Sequence, residues 1–146
     1  MDIAPLANPL TPDNNKEEVK LTKVSEHELN YEKSKYSLIL SLSNSNKLIL
    51  KMKEMNTFTT SYYISINTLE ELSKIDKQFN LYTSESETFI ALNDILNANQ
   101  TIIRKSNENF LLQFNFPLAE NKKKEILIPL KLKNYINSNF NNIKMN

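Results

Sequence analysis

The chain of 146 residues contains no glycine, and this absence limits the ways in which its backbone can turn. Glycine adopts a positive φ most readily, and asparagine tolerates that region better than other non-glycine residues do. The sequence supplies 22 asparagines. We therefore expect Asn44 and Asn46 to form the tight turn between the first two clear strands.

The absence of glycine also excludes several catalytic and nucleotide-binding motifs. The phosphate-binding loop, the dinucleotide-binding fingerprint and the nucleophile elbow each need glycine where the backbone bends sharply or approaches a ligand. The chain has no cysteine and one histidine, so a thiolate metal site is excluded and a histidine site has no second imidazole. His27 lies between Glu26 and Glu28, and we interpret it as a solvated loop residue.

The paired carboxylates have a structural explanation. Glu70 with Glu71, and Glu85 with Glu87, fall in the first turns of predicted helices, where negative charge stabilises the helix dipole. A general acid–base pair would instead require burial in a pocket. We therefore predict no catalytic residue, no cofactor and no metal site, and expect that the protein is not an enzyme.

Alternating hydrophobic and polar residues predict strands that bury one face. The pattern indicates a hairpin over 36–53, a third strand over 58–66, a short strand over 101–105, and strands over 109–116 and 124–133. The residues expected to form one core with the helices are Leu40, Leu50, Ile64, Leu72, Phe89, Leu92, Leu112, Phe114 and Ile128.

Two capping boxes mark the starts of two helices. Thr68 precedes Glu71, and Ser84 precedes Glu87, at the spacing in which hydroxyl and carboxylate satisfy each other's free backbone N–H groups. The order β-β-β-α-α-β-β-β predicts the α+β class. We expect an antiparallel sheet or small sandwich of about six strands with an inserted helical pair.

A length of 146 residues fits one domain with a sizeable core. We assign that domain to residues 36–133. Residues 1–35 are expected to be a mostly disordered or extended N-terminal arm, in which 19–35 either add an edge strand or stay extended. Residues 134–146 form an asparagine-rich C-terminal tail.

Charge and hydropathy exclude other classes of protein. With 18 basic and 17 acidic residues, the whole molecule has no strong field to steer it toward nucleic acid or membrane. No apolar run approaches the roughly 20 residues of a membrane-spanning helix. The proline-rich N-terminus has neither the basic nor the apolar region of a signal peptide, so we expect a cytoplasmic protein.

Four segments carry a resemblance to known modules: "YYISINTLEELSKIDKQF", "LYTSESETFIALNDILN", "NENFLLQFNF" and "EILIPLKL". Over residues 36–133 they resemble small β/α modules from AT-rich protists, ciliates especially. Their element order is also similar to the head domains of centriolar cartwheel proteins and of DNA end-joining scaffolds. That resemblance implies a β-sandwich with an inserted helical pair that serves assembly. Those heads are followed by a long coiled-coil stalk, a feature that this sequence lacks.

The stretch 121–133, "NKKKEILIPLKLK", permits two interpretations. Its lysines could bind phosphate groups. Alternatively, proline and lysine protect a sheet edge against indiscriminate pairing, and we favour this protected edge strand. We also include Tyr63, because Tyr62 and Tyr63 are neighbours in a predicted strand and we expect the Tyr63 ring to point outward. The candidate interaction residues are Tyr63, Lys122, Lys123, Lys124, Pro129, Lys131 and Lys133.

These observations predict a non-catalytic structural or adaptor subunit of a larger protein assembly. The resemblance places it in a ciliary or microtubule-associated complex of the cytoskeleton, with other proteins such as tubulin or axonemal subunits as partners. The alternative is a module that binds nucleic acid or another anionic surface through its lysine-rich C-terminal end. We favour the first, because the basic residues are balanced by acidic ones.

Overall fold

A computed structural model of the chain describes residues 19–58 and 60–134. Seven antiparallel strands form a sheet with the order β1-β2-β3-β4-β7-β6-β5. A helical segment separates β4 from β5. The strands are β1 (Leu21–Tyr31), β2 (Ser34–Ser43), β3 (Leu48–Glu54), β4 (Ser61–Asn67), β5 (Thr101–Ser106), β6 (Asn109–Pro117) and β7 (Lys123–Asn134). The helices are α1 (Leu69–Ile75), α2 (Glu85–Asn97) and two short 3₁₀ helices, Lys77–Leu81 and Ala119–Asn121.

The predicted arrangement of three strands, two helices and three strands is wrong. Four strands precede the helical segment, and the seven strands form one curled sheet, a half-barrel whose edge strands β1 and β5 contact each other. The additional strand, β1, comes from the segment 19–35. Its more buried positions include Lys23, Ser25 and His27, so it lacks the apolar alternation that marks the other strands. The N-terminal arm up to residue 18 and the tail after Asn134 lie outside the described residues.

The hydrophobic core lies between the inner face of the sheet and the helical segment. β2 and β3 contribute alternate residues, and their register pairs Leu40 with Leu50. From the helices, Leu72, Phe79 and Leu92 reach the same cluster. The buried hydrophobic residues are Tyr36, Leu38, Leu40, Leu42, Leu48, Leu50, Met52, Leu72, Phe79, Phe89, Leu92, Ile95, Leu96, Ile103, Phe110, Leu112, Phe114, Phe116, Ile126, Ile128 and Leu130.

The inner and outer faces of β4 are exchanged relative to the prediction. Met52 points into the core, and its cross-strand partner is Tyr63, so Tyr63 shares the inner face while Ile64 and Ile66 turn outward. Ile64 is therefore absent from the core, whereas the other eight residues of the predicted set are buried in it. The alternating apolar residues of β4, Tyr62, Ile64 and Ile66, lie on its outer face, whereas Tyr63 and the buried Ser65 lie on the inner one. Alternation therefore indicated the wrong face.

Asparagine replaces glycine at most of the positive-φ positions. Seven of the described residues have a positive φ, and five of them are asparagines. Asn46 has a φ of 62° at the β2–β3 turn, as predicted, whereas Asn44 is not among the seven. The backbone N–H of Asn44 instead donates to the carbonyl oxygen of Lys20 at 2.7 Å.

The helix caps explain where the helical segment begins. Thr68 forms the complete predicted capping box with Glu71. The Ser84 hydroxyl accepts from the Glu87 N–H at 3.1 Å, but the Glu87 carboxylate accepts from the N–H of Thr83, so the second box is only half formed. The Glu85 carboxylate also accepts from the N–H of Leu69 at 2.9 Å. One acidic side chain at the start of α2 therefore satisfies a free donor at the start of α1.

An ion pair attaches the helical segment to β7. Asp76 follows α1, and one of its carboxylate oxygens lies 2.7 Å from the Lys124 Nζ. The same carboxylate accepts from the N–H of Gln78 at 2.8 Å and so caps the first 3₁₀ helix. The hydrogen bond from Lys124 and, after it, that from Gln78 lower the pKa of Asp76 below its ordinary value of 3.8.

We expect that replacing Leu112 with alanine will lower the free energy of unfolding by about 2–5 kcal/mol. Leu112 is fully buried on β6, so its removal leaves a cavity in the core. Chemical denaturation followed by circular dichroism would measure the loss. The matched control is Leu127→Ala on β7, since Leu127 is 41% exposed and should change the midpoint little. Equal losses from both changes would contradict the assigned strand phase.

We expect that Asp76→Asn will lower the free energy of unfolding at pH 7 by about 1 kcal/mol. A lowered pKa in the folded state stabilises the fold above the unfolded-state pKa, and this contribution is lost as the pH falls through the folded value. The difference between parent and variant should therefore shrink below about pH 4. Asp94→Asn, an exposed change on α2, is the control. A pH-independent difference for Asp76→Asn would contradict the role of the ion pair.

Candidate protein-interaction surface

Tyr63, predicted as an outward contact residue, lies against the core. Its ring meets the Phe110 ring edge-to-face, with centroids 4.6 Å apart and planes at 77°. Burial, and after it the charge of Glu54, raises the pKa of Tyr63 above its ordinary value of 10.0, so the phenol is neutral at pH 7. Tyr63 therefore contributes mainly to packing, and its neighbour Tyr62 is on the outer face.

The three consecutive lysines do not form a uniform basic patch. Lys124 is paired with Asp76, and the Lys123 Nζ donates to the Gln100 Oε1 at 2.6 Å. Lys122 is exposed in the connection between β6 and β7. Two of the three cations thus contact neighbouring parts of the fold, which weakens the case for a phosphate-binding patch here.

The interpretation of β7 as a protected edge strand is wrong. β7 lies inside the sheet, between β4 and β6. It pairs with β6 from Lys123 to Leu130 and with β4 from Lys131 to Asn134. Pro129 faces outward opposite Leu111 of β6. On the β4 side, the pairing begins only two residues after this proline.

This change of partner leaves a cleft between β4 and β7, which we call the β4–β7 cleft. The last paired residues are Ile64 and Lys131, beyond which β4 continues along β3 while β7 runs along β6. The cleft has a volume of about 300 Å³. Its lining residues are Ile64, Ser65, Ile66, Asn67, Ile75, Pro129, Lys131 and Lys133.

The cleft joins apolar walls to a basic end. Ile66 and Ile75, which both line the cleft, are 49% and 38% exposed. Lys131 and Lys133 are exposed beside the fork where β4 and β7 meet, and neither forms an ion pair with any described residue. Glu125 lies on the same outer face at the other end of β7. The surface therefore suits an apolar partner that carries negative charge near the fork.

Three of the eight residues that line the cleft were candidate interaction residues of the sequence analysis. Pro129, Lys131 and Lys133 were predicted, and the structure brings them together. Ile64 was assigned to the core, and Ile66 and Ile75 were not among the candidate interaction residues. No signal in the sequence distinguished these exposed isoleucines from buried ones.

A second cavity, of about 410 Å³, lies between the helical segment and the end of β6. Its walls include Tyr82, Ile95, Phe116 and Lys123. Burial raises the pKa of Tyr82 above 10.0, although a hydrogen bond from Gln78 opposes this effect. The Tyr82 phenol is therefore neutral at pH 7. Lys123, in turn, is bonded to Gln100.

His27 is not the solvated loop residue that the sequence suggested. It lies half-buried on β1, where its Nε2 is 2.7 Å from the Ser25 Oγ and 2.9 Å from the Asn93 Oδ1 of α2. The serine donates its single proton to the Asn93 Oδ1 at 2.6 Å. The imidazole must then donate from Nε2, and a protonated Nε2 cannot act as a general base toward that serine. The cluster attaches β1 to α2.

Residues 19–58 and 60–134 contain no group of three or more His, Asp or Glu side chains placed to hold a metal ion. None of the helices in these ranges has the length and apolar character that crossing a membrane requires.

Comparison of the sequence with protein-family models finds no match, and comparison with curated proteins finds none either. Comparison of the structure with solved structures does find similar folds. The head domain of human CCDC61 matches with a TM-score of 0.58 and 8% identity, over 77% of this chain and 98% of that one. An N-terminal fragment of Drosophila melanogaster Sas-6, dimerised via its coiled-coil domain, matches with a TM-score of 0.50 and 15% identity, over 89% of this chain and 76% of that one.

The resemblance to centriolar cartwheel head domains is therefore confirmed at the level of the fold. The resemblances to protist modules and to DNA end-joining scaffolds stay predictions. At these sequence identities the likeness extends to the fold alone. In this chain that fold is a curled antiparallel sheet with helices between its fourth and fifth strands.

Proposed function

We propose that this protein is a non-catalytic structural or adaptor subunit of a larger protein assembly, and that it contacts a partner through the β4–β7 cleft. The cleft carries the proposal, because it combines exposed isoleucines with exposed lysines on one side of the sheet. Apolar centres with polar rims are typical of protein interfaces.

The fold supports a role in assembly. Two solved structures that resemble it are parts of larger chains: a head domain in CCDC61, and an N-terminal fragment of Sas-6 dimerised through a coiled coil. Catalysis has no comparable support, because the Ser25–His27–Asn93 cluster is explained by its structural hydrogen bonds.

The proposed setting is the cytoskeleton in the cytoplasm, in a ciliary or microtubule-associated complex. The likeness to cartwheel heads supports this setting, and the lysines at the fork fit an acidic protein surface. The acidic tails of tubulin are one such surface, and axonemal subunits are the wider class of partner.

To test the assembly role, the tagged parent chain and two variants would be expressed in the source organism. We expect the parent to elute from a native extract in a complex much larger than its own 17.0 kDa. Ile66→Asp should shift it toward the free chain, because a carboxylate would be desolvated in an apolar contact. The matched control is Ile102→Asp on β5, since Ile102 is 47% exposed and Ile66 is 49% exposed.

Size-exclusion chromatography with immunodetection would measure these shifts. Equal elution of the parent and Ile66→Asp would contradict the use of the cleft. A parent that elutes as a free chain would contradict the assembly role altogether.

To test the microtubule setting, the purified chain would be sedimented with stabilised microtubules. We expect that Lys131→Glu with Lys133→Glu will reduce the bound fraction, and that rising salt will reduce binding of the parent, since exposed charge pairs are screened. Microtubules whose acidic tails have been removed by proteolysis should bind the parent less. If neither the lysine substitutions nor the removal of the acidic tails reduces binding, tubulin tails are not the partner.

A further inference from the structure

We propose that the β4–β7 cleft binds an extended segment of a partner protein as an additional β-strand. The segment would carry apolar residues at alternate positions and acidic residues at its N-terminal end. This inference rests on the proposed function, because it names the kind of partner that the same cleft would take.

The backbone is the first reason. Consecutive residues of a strand direct their N–H and C=O groups toward opposite neighbours. Of Ser65 and Ile66, which follow the last residue of β4 paired with β7, one therefore turns its backbone groups toward the cleft. The same holds on β7 between Glu125 and Pro129, where β6 provides the only registered partner. Such strand edges accept a further strand by main-chain hydrogen bonding.

The shape of the cleft is the second reason. Ile64 and Ile66 form one wall, Pro129 lies on the other, and Ile75 of α1 lies at the end. A volume of about 300 Å³ is at the lower limit for ligand pockets and holds only a few side chains. An extended segment that places every second side chain in the cleft fits this volume.

Proline at position 129 restricts how a segment can pair with β7. Pro129 has no N–H, so it cannot donate to a strand on either side. This limits pairing to the residues around it and prevents β7 from joining indiscriminately with other edges. Side-chain contacts and charge would then decide which segments bind.

The charges give the segment a direction. Lys131 and Lys133 lie at the fork, whereas Glu125 lies about 20 Å away along the strand at roughly 3.3 Å per residue. Antiparallel pairing is slightly more stable than parallel pairing. A segment antiparallel to β7 has its N-terminal end beside the fork, so its acidic residues belong at that end. Because β4 and β7 are themselves antiparallel, the segment would run parallel to β4.

The test begins with a display library of random twelve-residue peptides, selected on the immobilised full chain. We expect the enriched peptides to share acidic residues followed by alternating apolar residues. A synthetic peptide of the enriched sequence should bind the Ile66→Asp variant roughly tenfold or more weakly than it binds the parent. Binding to Ile102→Asp should be unchanged. Fluorescence anisotropy would measure the affinities.

Two further comparisons test direction and charge. The peptide with its sequence reversed should bind roughly tenfold more weakly, and the Lys131→Glu with Lys133→Glu variant should lose a similar factor. Amide hydrogen exchange should show new protection at 65–66 and in 125–130 when the peptide binds. Enriched peptides without acidic residues, or binding unaffected by Ile66→Asp, would overturn the proposal.

A second copy of the chain is a different occupant, and sedimentation velocity distinguishes it. A concentration-dependent dimer of the parent that Ile66→Asp abolishes would also overturn the peptide proposal. These experiments distinguish a failure of the strand-like partner from a failure of the proposed function. If Ile66→Asp disrupts the cellular complex but no peptide meets these criteria, only the strand-like partner is wrong. If Ile66→Asp leaves the complex intact, the proposed function of the cleft is wrong.

Discussion

The double pairing of β7 is the constraint on which the sheet depends. One half of β7 continues the sheet through β6 to β5, and the other half joins it to β4 and the first three strands. Among the described residues, the four pairs from Ser61–Asn134 to Ile64–Lys131 are the only registered pairs between these two parts. The sheet curls around that junction, and the helical segment covers its inner face. The ion pair between Asp76 and Lys124 holds this segment against the other half of β7.

Local pattern predicted much of the fold, because burial of one face is recorded in the alternation of β2, β3, β6 and β7. It left β1 undecided between an edge strand and an extended segment, because its inner positions carry Ser25 and His27, which are stabilised by a polar contact to Asn93. It also reversed β4, whose phase depends on the pairing of Tyr63 with Met52. The order of the strands could not be predicted from local pattern, since the contact between β4 and β7 joins distant parts of the sequence.

The candidate surface was predicted to a similar extent and for a similar reason. Pro129 and the two lysines that follow it are unusual in a strand, so the sequence marked them. Their location at a fork depends on where β4 and β7 separate, and residue type alone does not determine that. Ile66 could not be identified, because an exposed isoleucine and a buried one are the same in a sequence. The ion pair of Lys124 could not be foreseen, because its partner, Asp76, comes from a different part of the chain.

The long connection across this junction also has a kinetic consequence. Every other neighbouring pair of strands is consecutive in sequence, so each closes a short loop. Joining Ile64 to Lys131 encloses the whole helical segment, β5 and β6, and the entropy of closing a loop rises with its length. Non-local contacts of this kind slow folding. We therefore expect the four-strand and three-strand blocks to form before the junction between them closes.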